Sequence, residues 1–464
     1  MVKPIAITVL EDAGSSLYAA QAKVYPREID GRFARLRLAA VFVLLGLFYV
    51  LPWLQWGGHQ AVLFDLPARK FYVLGLMFWP QDFFLLTCLL IIAGISLFFF
   101  TAVAGRLWCG YACPQTVWTE VFLWLERLCE GRRNQRIKLD AGVWTREKIL
   151  RKSAKQFLWI TFALWTGFTF VGFFTPIFDL AREARAASFG GWEAFWILFY
   201  SFATYGNAGY LREQVCKYMC PYARFQSAMF DHDTLIISYD TARGEPRGAR
   251  KRTADPRALG LGDCIECEAC VQVCPTGIDI RHGLQIDCIA CAGCIDACDA
   301  VMDKMGYARG LIRYTTENML AGGKRRIVRV RTLVYATLLL GLLTAFTWGV
   351  THRATLIVEL LHDRNALYRQ ATDGGIENSY TLKLVNKTDA PQRLHLQIEN
   401  HPGLQVVGAG EIALAAGEVA NVPLTLHASQ TRHESHEHIE LVVANGNGSV
   451  RVERQGEFFT PESP

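Results

Sequence analysis

Cys264-Ile265-Glu266-Cys267-Glu268-Ala269-Cys270-Val271-Gln272-Val273-Cys274-Pro275 and Cys288-Ile289-Ala290-Cys291-Ala292-Gly293-Cys294-Ile295-Asp296-Ala297-Cys298-Asp299 are two copies of one pattern, C-x2-C-x2-C-x3-C. A four-iron cluster takes four thiolates. A compact run of this spacing offers three from one loop, while its fourth cysteine crosses to the other cluster. One cluster is therefore expected to take Cys264, Cys267, Cys270 and Cys298, and the second Cys288, Cys291, Cys294 and Cys274. Structural zinc also uses C-x2-C pairs, but zinc needs no tandem four-cysteine runs. Pro275 closes the first run, whereas Asp299 stands at the matching place in the second. That weakens the turn there without removing a ligand.

The repeat is the bacterial two-cluster ferredoxin signature, and it sits inside a much more apolar chain. The chain has 464 residues, enough for roughly two or three domains. Hydrophobic residues make up 51%, and mean hydropathy is +0.17. The apolar residues come in blocks of the roughly 20 residues that cross a bilayer. The expected spans are Leu38–Trp56, Phe83–Ala104, Phe157–Ile177, Trp192–Leu211 and Thr332–Val350. Phe71–Trp79 is too short to span and reads as an interfacial or re-entrant piece. The first thirty residues are mixed and acidic, unlike a cleaved signal peptide.

Arginine and lysine crowd the segment before the first span, the loop between the second and third, and the approach to the fifth. By the positive-inside rule this predicts a cytoplasmic N-terminus, five crossings, a cytoplasmic cluster domain and an exported C-terminus. The net charge of +5 is then a topology signal and excludes no membrane role, while giving no support to nucleic-acid binding. A reducing cytoplasm suits cysteines held as ligands or thiols.

Arg243–Arg257 is basic and rich in breakers, and reads as a surface linker. After about Asn365, alternating stretches such as Tyr380–Val385, Leu394–Ile398, Val422–Leu426 and Ile439–Val443 predict strands. Asn445-Gly446-Asn447-Gly448 predicts a hairpin. The expected fold is a multi-domain integral membrane protein. It has an α-helical bundle of about five helices, an inserted two-cluster ferredoxin-like domain and a C-terminal all-β immunoglobulin-like sandwich. The corresponding segments are 1–37 (cytoplasmic), 38–240 (four membrane helices), 241–260 (linker), 261–330 (clusters), 331–351 (fifth helix) and 352–464 (exported sandwich).

Two further cysteine pairs, Cys109-x3-Cys113-Pro114 and Cys216-x3-Cys220-Pro221, follow the second and fourth spans, so both are expected at one membrane face. Proline suits the first position of a helix, which would put Cys113 and Cys220 at helix starts, where the dipole lowers a thiol's pKa. Four thiolates from two such hairpins suit a soft ion such as Cu(I), or a further iron–sulfur centre. The plainer reading is two structural turns with buried thiols. Cys88 and Cys129 read as packing residues. His427, His433, His436 and His438 are candidate copper ligands, or simply part of a polar loop. Asp82 and Glu120, near membrane boundaries, are candidate proton carriers or merely interfacial.

Taken together, Phe78-Trp79-Pro80-Gln81-Asp82-Phe83, Gly105–Trp118 (GRLWCGYACPQTVW), Arg212–Gln226 (REQVCKYMCPYARFQ), Cys274–Arg281 (CPTGIDIR) and Gly310–Tyr314 (GLIRY) resemble the CcoG/FixG-type cytochrome c oxidase accessory proteins. The resemblance runs from about Gly31 to the C-terminal sandwich. It implies a bacterial inner-membrane protein with two 4Fe-4S clusters that reduces Cu(II) to Cu(I) for assembly of a cbb-type oxidase. The implied partners are the bilayer, copper ions, oxidase subunits or copper chaperones, and an electron donor. No dinucleotide fingerprint or P-loop is present, so that donor is a soluble carrier or the quinone pool. The competing readings are a quinol-linked electron-transfer subunit of a periplasmic reductase system and a non-enzymatic assembly scaffold.

Overall fold

Among the described residues of the computed structural model, three helices are long and apolar enough to cross a membrane, spanning Arg32–Trp53, Pro80–Ala104 and Val330–Thr351. The described residues are 23–461, other than 257, 402, 409, 430–435, 447 and 449. The first helix starts earlier than expected, at Arg32, and its regular part ends at Val50. A single tight turn, Leu51–Trp53, follows, and Gln55–Trp56 is already a strand. The third and fourth expected spans are helices of different bounds. Thr145 caps Arg146–Val171 by accepting from the Lys148 amide, and the chain then turns at Pro176 into a separate helix, Ile177–Ala186. Gly191–Thr204 continues as a wider π turn over Tyr205–Leu211. Arg146–Val171, at 26 residues, is long enough but less apolar than the other three, and Gly191–Thr204 has only 14 residues.

The chain divides into two units. One comprises the segment ending at Trp53 together with Thr87–Thr344. Within it the cysteine runs lie on a two-stranded antiparallel sheet, Ile236–Tyr239 against Ile312–Thr315, with Ile237 opposite Tyr314. Ile237, Ile280, Ile295, Met302, Leu311 and Ile312 form the apolar floor beneath them. The segment expected to be a basic surface linker makes contacts with the cluster-bearing region. Arg243 pairs with Asp263 at 2.5 Å, and Arg250 donates to the Cys264 carbonyl at 3.2 Å.

The other unit comprises Leu54–Leu86 with the chain from Ala345 onward. Its larger part is two antiparallel sheets. One has the order Leu404–Val407, Val419–Ala428, Ile376–Asn386, Leu356–His362, with Arg369–Gln370 also on Ile376–Asn386. The second runs Glu411–Leu414, Gln392–Ile398, His436–Asn445, Arg451–Phe459. Alternation along Ile376–Asn386 turns Tyr380, Leu382 and Leu384 inward against Leu394, Leu441 and Phe458. Phe71–Trp79, expected as an interfacial or re-entrant piece, is mostly strand. Lys70–Val73 pairs with Val62–Asp65 and Leu76–Phe78. Met77 and Trp79 then pack on Val385 and Ile357 of the sandwich.

Candidate iron–sulfur and thiol centre

The two cysteine runs fold with the same backbone. Around Cys267 the flanking residues Glu266 and Glu268 have φ of 55° and 54°; around Cys291, Ala290 and Ala292 have 54° and 61°. Left-handed backbone at residues with a side chain costs about 1–3 kcal/mol each. Its repetition at matching positions of both loops marks a shape that is held for a ligand. Asp299, in the place where proline was expected, accepts from the Gly310 amide at 2.9 Å and so anchors the return strand.

Cys264, Cys267, Cys270 and Cys298 line one small cavity, together with Tyr239 and Arg281. Cys274, Cys288, Cys291 and Cys294 line a second, which Cys270 also borders. The last cysteine of each run thus sits with the first three of the other. Burial pushes the Cys270, Cys288 and Cys298 thiols up to about 12. Such thiols ionise only against a strong cation, which the iron of a cluster supplies, so the donor set fits two four-iron groups.

The C-x3-C-P motifs meet near the second cavity. Cys109 lies in the short helix Leu107–Tyr111, and Cys113 caps Pro114–Glu130. Cys216 lies in the π turn Val215–Met219, and Cys220 caps Pro221–Ala228. Burial, then the thiols of Cys113, Cys216 and Cys220, push Cys109 up to about 12 against the pull of Arg106. Burial, Cys113 and Cys220 bring Cys216 to about 11. Cys113 is raised too: burial outweighs the backbone hydrogen bonds at Thr116 and Gln115, so the expected lowering at a helix start is reversed. Among the described residues, no three His, Cys, Asp or Glu side chains close on a single metal ion. The four thiols lie close enough to raise one another's pKa.

Gly110 is where this group touches the cluster loop. A Cβ there would stand 2.8 Å from the Ile289 carbonyl and 2.9 Å from the Cys291 Cα, so only glycine lets the two backbones approach so closely. Arg106, buried, donates to the Ile286 and Ala223 carbonyls, and at 3.3 Å to the Cys288 carbonyl and Ser227 Oγ. It ties both hairpins to the second loop. Sequence reasoning passed over it; its one signal was its place in the quoted stretch before Trp108. Gln226, also buried, accepts from the Cys109 thiol at 3.3 Å.

The other candidates fall elsewhere. Asp82 forms a buried ion pair with Lys387. Glu120 lines a cavity beside Cys291. Cys88 and Cys129 are half-buried in their helices. His427 pairs with Asp373 at 3.0 Å and Glu377 at 3.5 Å, while His436 and His438 stack edgewise at 6.4 Å. His433 lies outside the described residues.

Family models match three parts of the chain: a 4Fe-4S dicluster domain over residues 211–317, a 4Fe-4S binding domain over 82–132, and the IG-like fold at the C-terminus of FixG over 346–461. Over 436 residues the chain is 40% identical to the nitrogen fixation protein FixG of Rhizobium meliloti (strain 1021), covering 85% of this chain and 82% of that protein. The chain belongs to the FixG family. The chain is also 39% and 38% identical, over 440 and 454 residues, to the proteins RdxA and RdxB of Cereibacter sphaeroides. RdxA is matched over 91% of its length and RdxB over 93%, with 89% and 95% of this chain aligned. A crystal structure of a FixG-related protein from Vibrio parahaemolyticus is 26% identical over 23% of this chain and 96% of that one, with a TM-score of 0.21. As a FixG-type chain with two 4Fe-4S binding domains and an immunoglobulin-like C-terminal domain, the protein is an iron–sulfur electron-transfer protein.

Proposed function

We propose that the chain is a membrane-embedded cupric reductase that supplies Cu(I) during assembly of a cbb-type cytochrome c oxidase. The proposal includes five membrane crossings, with the N-terminus and cluster domain cytoplasmic and the immunoglobulin-like domain periplasmic. The carrying observation is the approach of Gly110 and Arg106 to the Cys288–Cys291 loop, which supports electron passage from the second cluster to the four C-x3-C-P thiols. Cys264, Cys267, Cys270 and Cys298 hold one cluster; Cys288, Cys291, Cys294 and Cys274 hold the other. When bound, the clusters supply single electrons at low potential. Each Cu(II) takes one electron, and the product Cu(I) is soft and prefers thiolate, so Cys109, Cys113, Cys216 and Cys220 favour it over the substrate. Gln226 orients the Cys109 thiol, and Arg106 offsets the negative charge that gathers there.

Replacing Cys298 by serine is expected to lower bound iron from about eight to about four atoms per chain. Iron analysis and the visible absorbance check this; a full iron complement would remove Cys298 from the ligand set. Copper reduction is tested anaerobically by mixing the pre-reduced protein with Cu(II), following bleaching recovery and Cu(I) capture by a chromogenic chelator together. Matched stoichiometry is expected, lost when Cys109 and Cys216 are both serine while the clusters remain. Clusters that stay reduced beside Cu(II) would sink the activity.

One observation favours a second reading of the quartet, a third iron–sulfur group. A 4Fe-4S binding family model matches 82–132, which holds Cys109 and Cys113 but neither cysteine run. About twelve iron atoms per chain, rather than about eight, would decide for it.

A further inference from the structure

The two cysteine loops share a backbone but differ in charge. Glu266 and Glu268 flank Cys267, whereas Ala290 and Ala292 stand at the matching places around Cys291. Cys267 is exposed and Cys291 buried. An arginine donates to the backbone of each loop: Arg250 to the Cys264 carbonyl at 3.2 Å, and Arg106 to the Cys288 carbonyl at 3.3 Å. Those two contacts match and do not tell the loops apart. On the first loop the other arginines are paired with carboxylates. Arg281, which lines its cavity, lies 2.6 Å from Asp279, and Arg247 stands 3.8 Å from Glu266.

Arg37 breaks the symmetry. It lies on the first apolar helix one turn after Phe33, so the two share a face. Phe33 meets the Tyr314 ring edge-on at 5.4 Å, and the Tyr314 hydroxyl donates to the Ala290 carbonyl at 2.6 Å. Asp296 accepts from the Phe33 and Ala34 amides, and the positive end of the helix offsets its charge. The helix start is thereby pinned to the second loop and carries Arg37 with it. A Cβ at Gly293 would stand 3.6 Å from Arg37 Nη1 and 3.9 Å from Cys291 Sγ, so guanidinium and thiol flank the same point. Of the acidic groups around Arg37, Cys291 acts on it most strongly and Glu120 next.

An electron added to a four-iron group adds a negative charge. Water can meet that charge around the exposed Cys267. Around the buried Cys291 it cannot, and burial by itself makes reduction harder. A fixed cation in surroundings of low dielectric offsets that penalty.

We propose that Arg37 is a positioning residue that sets the reduction potential of the second four-iron group, its fixed charge beside Cys291 favouring the reduced form. Reduction there adds one electron and no proton, because the guanidinium is already charged and stays so. Without Arg37 the buried group, the one nearer the C-x3-C-P thiols, is the harder to reduce, and electrons stop at the first. This rests on the two-cluster reading but not on copper as the acceptor.

The test uses the full-length protein with its iron–sulfur groups, in detergent, anaerobically and without copper. It is titrated with dithionite in the presence of redox mediators and followed by electron paramagnetic resonance. Two one-electron steps are expected. The step that survives in Cys298→Ser belongs to the second group. Arg37→Gln is expected to lower the equilibrium constant of that step at least tenfold, which is about 59 mV more negative, while iron content stays at about eight atoms and the other step moves less than half as far. Arg37→Lys, which keeps the charge, is expected to restore most of the shift. Arg37→Met is a second neutral variant in case the first binds less iron. An unmoved second step, an equal shift of both steps, or a lysine variant shifted as far as the glutamine one overturns the proposal. Iron lost from both neutral variants but kept with lysine overturns it too, making Arg37 a structural clamp. A parent with one step and about four irons overturns the two-cluster reading itself.

Discussion

Replacing Glu126 by glutamine is expected to cost about 3–5 kcal/mol of stability, the range found when one partner of a buried ion pair is removed. Glu126 is 0% exposed and holds Arg212 at 2.6 Å, Lys23 at 3.4 Å and Arg136 at 3.5 Å. Glutamine keeps the shape and removes the charge, which leaves two buried guanidiniums without their counter-ion. Arg212 then has only the Trp159 ring, 5.5 Å away, and the Gly209 carbonyl. By contrast, the exposed pair Arg151–Glu147 on the next long helix is worth about 0–1 kcal/mol, so Glu147→Gln is the matched control. Chemical unfolding of both variants in the same detergent checks this, and a Glu126→Gln loss no larger than that of the control would refute it. Burial opposes charge on Glu126, but Arg212, Lys23 and Arg136 outweigh it and hold its pKa below the usual carboxylate range. Its contribution is therefore complete above the unfolded value, about 4.3, and is lost as pH falls through the lower folded value.

Lys387→Met is expected to have an effect of similar size, about 3–5 kcal/mol, in the other unit. Lys387 is 4% exposed and Asp82 6%; their Nζ–Oδ1 distance is 2.6 Å. The other Asp82 oxygen accepts from the Trp79 amide at 3.1 Å. Methionine fills the lysine's volume but abandons a buried carboxylate. Adding Asp82→Asn to Lys387→Met removes that stranded charge and is expected to restore most of the loss. Protease resistance of the C-terminal unit on heating reads both variants. A single variant as resistant as the parent would show that the pair contributes little.

The parts legible in the sequence are those set by local spacing. The two cysteine runs needed only their own repeat to be seen, and Tyr380–Val385 and Ile439–Val443 showed their strands by alternation alone. What stayed hidden depends on distant partners. Asp82 read as a boundary carboxylate because Lys387 is 305 positions away. The packing of Met77 and Trp79 on Val385 and Ile357 left no mark in the apolar stretch Phe71–Trp79, because those partners lie far along the chain. The roles of Arg106 and Gly110 depend on the second cysteine loop, some 180 positions away, and so are not set by local spacing. The helix-start argument for Cys113 failed for a physical reason: an isolated motif reveals the dipole but not the burial that outweighs it.

Asp296, between Cys294 and Cys298, accepts from the Phe33 amide at 3.2 Å and the Ala34 amide at 2.7 Å. It thereby satisfies the free amides at the start of the first apolar helix. Gly31 leaves room for it, since a Cβ there would stand 2.3 Å from the Asp296 carboxyl carbon. In the order of synthesis, Phe33 emerges 263 residues before the side chain that secures it. The first helix can therefore enter the membrane early, but its end is locked only after the cysteine-bearing segment has been made and folded. Biogenesis thereby acquires an order of events, in which the earliest helix waits for a segment made 263 residues later and is secured before the Val330–Thr351 helix is complete.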